Sequence, residues 1–326
     1  MSLLAPTVMR IDIGNAWRFR VFRIWIALAV GVAVAPVARA QRTDLWVPAK
    51  GHGSMSVAYQ HLYVRYHTDS HGNTAIPGTM RLRSVFLDFD FGLTDRLALN
   101  TLVAFKSNKY DARIPNSGHD PDSLDDPHGE HFIDDGDYHG GWQDWNVALR
   151  YAWIDTPFLE VTPYIDYGQP IRDYTVFAHS AVGTGQTQLE AGVNIGGRFK
   201  APAQNLFWRV GAAYAYMEKE GDRRVNHATF DVEIGYFVTP RLMLRGVLLT
   251  RKTYNGLDFE DYDNHQDDEF FHHDQNIRDD FLNVGVSADY QFDQHYTGFA
   301  NVGRTIRGDN THLIDYALTV GISRGF

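Results

Sequence analysis

The chain has no cysteine among its 326 residues, which excludes disulfides and thiolate-bound metals and leaves the compartment open. Beyond the N-terminus it also lacks any run of about 20 apolar residues, so it cannot be a bundle of membrane-crossing helices. Positive charge is in short supply as well. A formal net charge of -10 argues against nucleic acid as a partner. Apolar residues are plentiful at 44%, so a large apolar surface must be buried or covered by something other than long helices.

The first 40 residues read as a secretory signal peptide. Arg18, Arg20 and Arg23 precede the apolar stretch IWIALAVGVAVAPVA, which runs into Ala38-Arg39-Ala40, a small-x-small cleavage site before Gln41. Met9 offers a second start, and a lone membrane anchor is the competing reading. Cleavage removes five Arg and one Asp, taking the net charge from -10 to -14.

Residues 41–326 return repeatedly to strict alternation. In VFLDFDF, Val85, Leu87, Phe89 and Phe91 fall on one face and Asp88 and Asp90 on the other. FDVEIGY repeats this, with Phe230, Val232, Ile234 and Tyr236 opposite Asp231 and Glu233. Side chains alternate across a strand, so each segment has an apolar and a charged face. A soluble sandwich buries the apolar face, whereas a membrane barrel turns it to lipid and the charges to the lumen.

Three features favour the barrel. Twelve strand-like stretches are centred near 60, 87, 102, 148, 163, 192, 211, 232, 247, 287, 300 and 319, although weak alternation near 60 and 300 leaves ten or fourteen open. The connections alternate in length. Short ones at 93–96, 154–158, 200–205, 238–241 and 293–296 separate longer polar ones near 67–80, 107–141, 168–185, 219–226 and 254–280, with a short last one near 307–311. Tight periplasmic turns alternating with longer outer loops are the outer-membrane pattern. Finally, Ile314, Tyr316, Leu318, Val320 and Ile322 share a face with the terminal Phe326, which resembles the assembly signal of such barrels. Phe91, Trp153, Trp208, Tyr236, Phe292 and Phe326 gather at the turn ends as an aromatic girdle.

FGLTDRLALN (91–100), YFVTPRLMLR (236–245) and the closing Phe326 resemble the barrels grouped as the meta-pathway phenol-degradation family. The resemblance implies a secreted outer-membrane channel passing small or aromatic molecules, with no catalytic motif to carry over. Acidic loops stand outside what it implies.

With the apolar face to lipid, the lumen receives Asp88, Asp90, Glu160, Asp166, Glu190, Asp231, Glu233 and Asp289 against Arg150, Arg198, Arg209 and Arg245, with Asn146, Asn194 and Asn283 among them. This set reads either as a network bracing the interior or as a charge ladder selecting cations. Residues 107–141 and 254–280 hold 19 of the 40 carboxylates and seven of the 15 histidines. Carboxylate oxygens suit calcium or magnesium, and imidazoles add affinity for zinc, copper or nickel. His128, His131, Asp134, Asp135, His265, His272 and His273 are the candidate ligands, and a divalent cation in these loops is the one cofactor expected. Catalysis is not expected. Ser287 and Ser323 have no evident histidine partner, and parity puts His312 on the lipid side.

The expectation is an all-β, twelve-stranded antiparallel transmembrane barrel of the bacterial outer membrane, acting as a passive channel for a small solute, aromatic or cationic. Outer-membrane lipid, lipopolysaccharide, the barrel-assembly machinery and the solute are its expected partners. The alternatives are a non-conducting surface barrel whose Asp/His-rich loops bind divalent cations and, third, a barrel hydrolase.

Overall fold

The computed structural model describes residues 45–110, 133–176, 179–258 and 272–326. The expected signal peptide therefore lies outside the described residues, as do the centres of both acidic loops. Thirteen strands run in chain order: β1 Gly53–Thr68, β2 Thr74–Gly92, β3 Leu97–Tyr110, β4 His139–Tyr151, β5 Ile154–Thr156, β6 Leu159–Gln169, β7 Gln188–Arg198, β8 Leu206–Met217, β9 Asn226–Phe237, β10 Leu242–Tyr254, β11 Asp280–Gln291, β12 Tyr296–Asp309 and β13 His312–Gly325. β5 is a three-residue spur folded on the start of β6. The other twelve form the wall.

Every pairing is antiparallel and joins neighbours in the chain, with two contacts closing the ring: β4 bypasses the spur to pair with β6, and β1 pairs with β13. Closure leaves no strand edge, which the hydrocarbon of a bilayer demands. The expected facing is observed. On β8 Phe207, Arg209, Gly211, Ala215 and Met217 are buried inside, while Tyr214 and Tyr216 point out. Outward apolar side chains stay uncovered, Ile165 at 58% and Ile234 at 55% exposure, as suits a lipid-facing band. β1, with 16 residues, and β2, with 19, exceed the 9–11 that span a bilayer. The strands therefore reach further into the outer connections than the pattern suggests, and the loop expected at 67–80 shrinks to 69–73.

The two quoted turns share one device. Thr94 Oγ1 accepts from Arg96 N at 3.2 Å and Leu97 N at 2.9 Å, and Thr239 Oγ1 accepts from Arg241 N at 3.2 Å and Leu242 N at 3.0 Å. A carboxylate takes the same part in a third turn, where Asp293 Oδ1 accepts from His295 N at 2.8 Å and Tyr296 N at 2.9 Å. Threonine thus recurs because its hydroxyl completes the turn, with Asp95 and Pro240 as tolerated neighbours. Thr239→Val should lower stability by about 1 kcal/mol, and adding Thr94→Val should roughly double the loss because the turns are far apart. Urea titration of refolded barrel measures this. An unchanged midpoint would give the turn to Pro240 and Asp95 alone.

At the closing seam Phe326 N donates to Gly53 O at 3.0 Å, and its ring stacks on Phe89 and Phe91 with centroids 6.0 and 6.4 Å away. The upper seam departs from the expected parity. Tyr63 faces Tyr316, Val64 faces Ile314, and Tyr66 faces Leu313, so Asp315 is an extra residue on β13 and Arg65 on β1. A bulge re-aims the side chains beyond it. Ile314, expected on the lipid stripe, turns inward against Val64, Met80 and Tyr110. His312, expected beside lipid, turns inward with it and lines a cavity. The bulged residues meet outside as an ion pair, Arg65 Nη2 to Asp315 Oδ2 at 2.8 Å.

Candidate functional site, the barrel lumen

The interior has two unlike walls. On β1, β2, β3 and β12 an apolar patch of Ala58, Phe86, Leu102, Ala104 and Phe299, continued upward by Leu62, Leu82 and Ile314, is set among the polar Gln60, Ser84, Asp90 and Asn100. Opposite, on β8 to β11, the wall is ionic. Arg209 Nη1 lies 3.0 Å from Asp231 Oδ1 and its Nη2 3.5 Å from Glu233 Oε2. Glu233 Oε1 continues to Arg245 Nη1 at 3.3 Å, and Arg245 grips Asp289 with Nε and Nη2 at 2.7 and 2.8 Å. Alternation supplies one inward charge every second residue, and neighbouring strands bring opposite signs to one height.

The remaining expected lumen residues are also matched. Asp90 pairs with Arg150, Asp88 accepts from Asn100, Asp166 from Asn146, and Glu190 from Tyr164. Asn194 accepts from Arg209 Nη1 at 2.9 Å, and Asn283 lines both cavities described below. Arg198 is the exception. It sits exposed at the rim by the short turns with its guanidinium 4.8 Å above the Phe237 ring, where the lumen has already opened to solvent. The ladder is therefore a braced network, and its excess of carboxylates is largely answered by guanidinium, amide and hydroxyl donors.

A segment without strand periodicity crosses the mouth at the short-turn end. Residues 45–50 form a strap. Leu45 is buried where a Cβ on Gly196 would come within 2.7 Å of its side chain, and its carbonyl accepts from Thr162 Oγ1 at 2.8 Å. Trp46 meets Phe207 edge-on at 5.5 Å, Val47 N donates to Glu160 Oε1 at 3.4 Å, and Lys50 N donates to Asp95 Oδ1 at 3.1 Å. The chain thus passes from β6, β7 and β8 to the turn after β2, across the lower opening. Thr162 and Gly196 were the signals available: a polar residue and a missing side chain at inward positions.

The outer mouth is narrowed by the connection between β6 and β7, which folds inward. Asp134 accepts from His179 N at 3.1 Å and Ser180 N at 2.8 Å, Ser180 Oγ accepts from Tyr110 N at 3.0 Å, and Gln275 Nε2 donates to Thr184 O at 2.5 Å. Tyr174 donates to Asp144 Oδ1, and burial with that neighbouring carboxylate raises its phenol well above the ordinary range. Burial alone would lower His179, but Asp274 and Asp134 outweigh it and hold the imidazole up at about 9.

Two cavities lie between strap and inward loop. The upper is about 360 Å³ and the lower about 430 Å³, and they share Leu62, Leu82, Met217, Phe281 and Ile314. Both fall in the size range of small-molecule sites. Of the loop residues expected to bind metal, His128, His131 and His265 lie outside the described residues. Asp134 is spent on backbone amides, Asp135 pairs with His139 at 2.9 Å, and His272 lies 3.5 Å from Glu220. His273 opens the helical turn His273–Asn276.

No protein-family model matches the chain, and neither does any curated protein. Among solved structures, the COG4313 outer membrane channel from Pseudomonas putida F1 aligns with a TM-score of 0.64 at 14% identity, covering 90% of this chain and 100% of that one. NanC porin aligns at 0.47 and 12% identity over 83% and 98% of the two chains. KdgM porin in complex with disordered oligogalacturonate aligns at 0.44 and 10% over 83% and 99%. At such identities the likeness is one of fold, and it agrees with the wall, the facing and the closure described above: this chain is a closed, twelve-stranded antiparallel β-barrel of the outer-membrane type.

Proposed function

We propose that the protein is a passive channel of a Gram-negative outer membrane for small, weakly charged solutes with an apolar, aromatic-sized body. The observation that carries this reading is the division of the lumen, an apolar patch facing a charge ladder whose members are already paired. Free carboxylates would draw cations, whereas paired ones present dipoles and leave the apolar patch to choose the solute. The resemblance of the two turn motifs to the phenol-degradation barrels points the same way, and the narrowed mouths fit single small molecules better than polymers.

The test is current blockade in planar bilayers with the full chain. Insertion should give a small ohmic potassium chloride current, reduced by millimolar benzamide and much less by arabinose. Absence of current from folded barrel would overturn the channel reading. Equal blockade by both solutes would keep the channel and overturn the solute class.

A further inference from the structure

The bulged seam and the inward loop bring together three histidines that lie far apart in the chain. His67, on β1, faces His312, on β13, as a cross-strand pair, with ring centroids 4.0 Å apart. His179, from the loop between β6 and β7, stacks on His67 at 4.7 Å and meets His312 edge-on at 5.2 Å. One ring nitrogen from each lies within 4.8 Å of the others. Zinc bonds of about 2.0–2.1 Å in a tetrahedron set such nitrogens about 3.4 Å apart, which ring rotations and shifts of roughly an ångström would reach.

We propose that His67, His179 and His312 form a site for one divalent transition-metal ion, zinc in the first place, that ties the inward loop to the barrel's closing seam. The ligand chemistry is imidazole alone, which selects zinc, copper or nickel over calcium and magnesium. The surroundings match a metal-binding histidine. Asp274 Oδ1 lies 3.5 Å from His179 Nδ1, close enough to serve as the carboxylate partner that metal-bound histidines use. Asp134 is buried and pins the backbone of His179 and Ser180, so the third ligand comes from a fixed segment of the loop. The three histidines border the upper cavity, which leaves room for water in a fourth position. Occupancy would fasten the loop across the outer mouth.

The test uses purified full chain refolded in detergent, freed of metal with a chelator and titrated with zinc or calcium in a calorimeter. One zinc per chain should bind, competing with cobalt whose strong visible absorption marks a four- or five-coordinate nitrogen site. Asp274→Asn should weaken zinc about 10–100-fold, as removal of such a carboxylate partner does. His179→Ala should abolish the cobalt signature, with His312→Gln as the second variant if the first does not fold. The surface variant Asp135→Ala should leave binding unchanged. No zinc binding, binding matched by calcium, or binding that survives both histidine changes would overturn the proposal, and the last two would transfer the metal to the acidic loops.

Discussion

Val193→Arg is expected to cost the barrel about 2–4 kcal/mol and to lower sharply the fraction that refolds into lipid. Val193 is in the middle of β7, facing outward between Pro163 and Ala212 on the neighbouring strands. A guanidinium there must snorkel through hydrocarbon. Asn194, its inward neighbour, is an unsuitable control because it is buried against Arg209, where a second cation would be repelled. Thr229 on β9 borders the lower cavity and has room for a long side chain beside Asp231, so Thr229→Arg should refold nearly as well as the parent. Heat-modifiable migration and urea midpoints in lipid measure the contrast. Comparable losses for the two variants would reverse inside and outside.

Arg245→Met should be among the most damaging changes within the lumen. It removes a two-pronged contact to Asp289 and a link to Glu233, leaving carboxylates without their cation in a largely enclosed space. Breaking a buried pair from one side costs about 3–5 kcal/mol, and the partial solvent contact of these groups puts the expectation near about 3. Adding Asp289→Leu should restore more than half, since Glu233 keeps Arg209. The same variant tests the charge reading. Released carboxylates should move the reversal potential in a potassium chloride gradient toward cation preference, and the double variant should move it back. A stability loss without any shift in selectivity would place the ladder outside the ion path.

Much of the wall is legible in the sequence because alternation, turn chemistry and connection length are local properties. VFLDFDF declares its two faces without help from any neighbour, and Thr94 and Thr239 announce the same turn twice. What escapes is whatever depends on the closed ring. Parity carried along β13 places Ile314 and His312 outward, and only the pairing with β1 reveals the extra residues that turn them in. The strap at 45–50 has no periodicity, since its hydrogen bonds go to inward side chains of distant strands. The histidine cluster is invisible for the same reason. Seven histidines crowded in acidic loops draw the eye, while the three that meet come from a strand end, a strand start and a connection elsewhere.

The paired bulges at the seam have a geometric consequence. Tyr63 faces Tyr316 and, beyond the bulges, His67 faces His312, so each strand advances four residues between the two pairs. A single bulge would have offset one strand against the other and changed the stagger around the ring, which together with strand number sets a barrel's tilt and radius. Two opposed ones cancel. Across this seam lipid-facing and lumen-facing residues are exchanged near the outer end while the β1–β13 stagger is the same above and below, so new chemistry enters the rim without offsetting the two strands that close the ring.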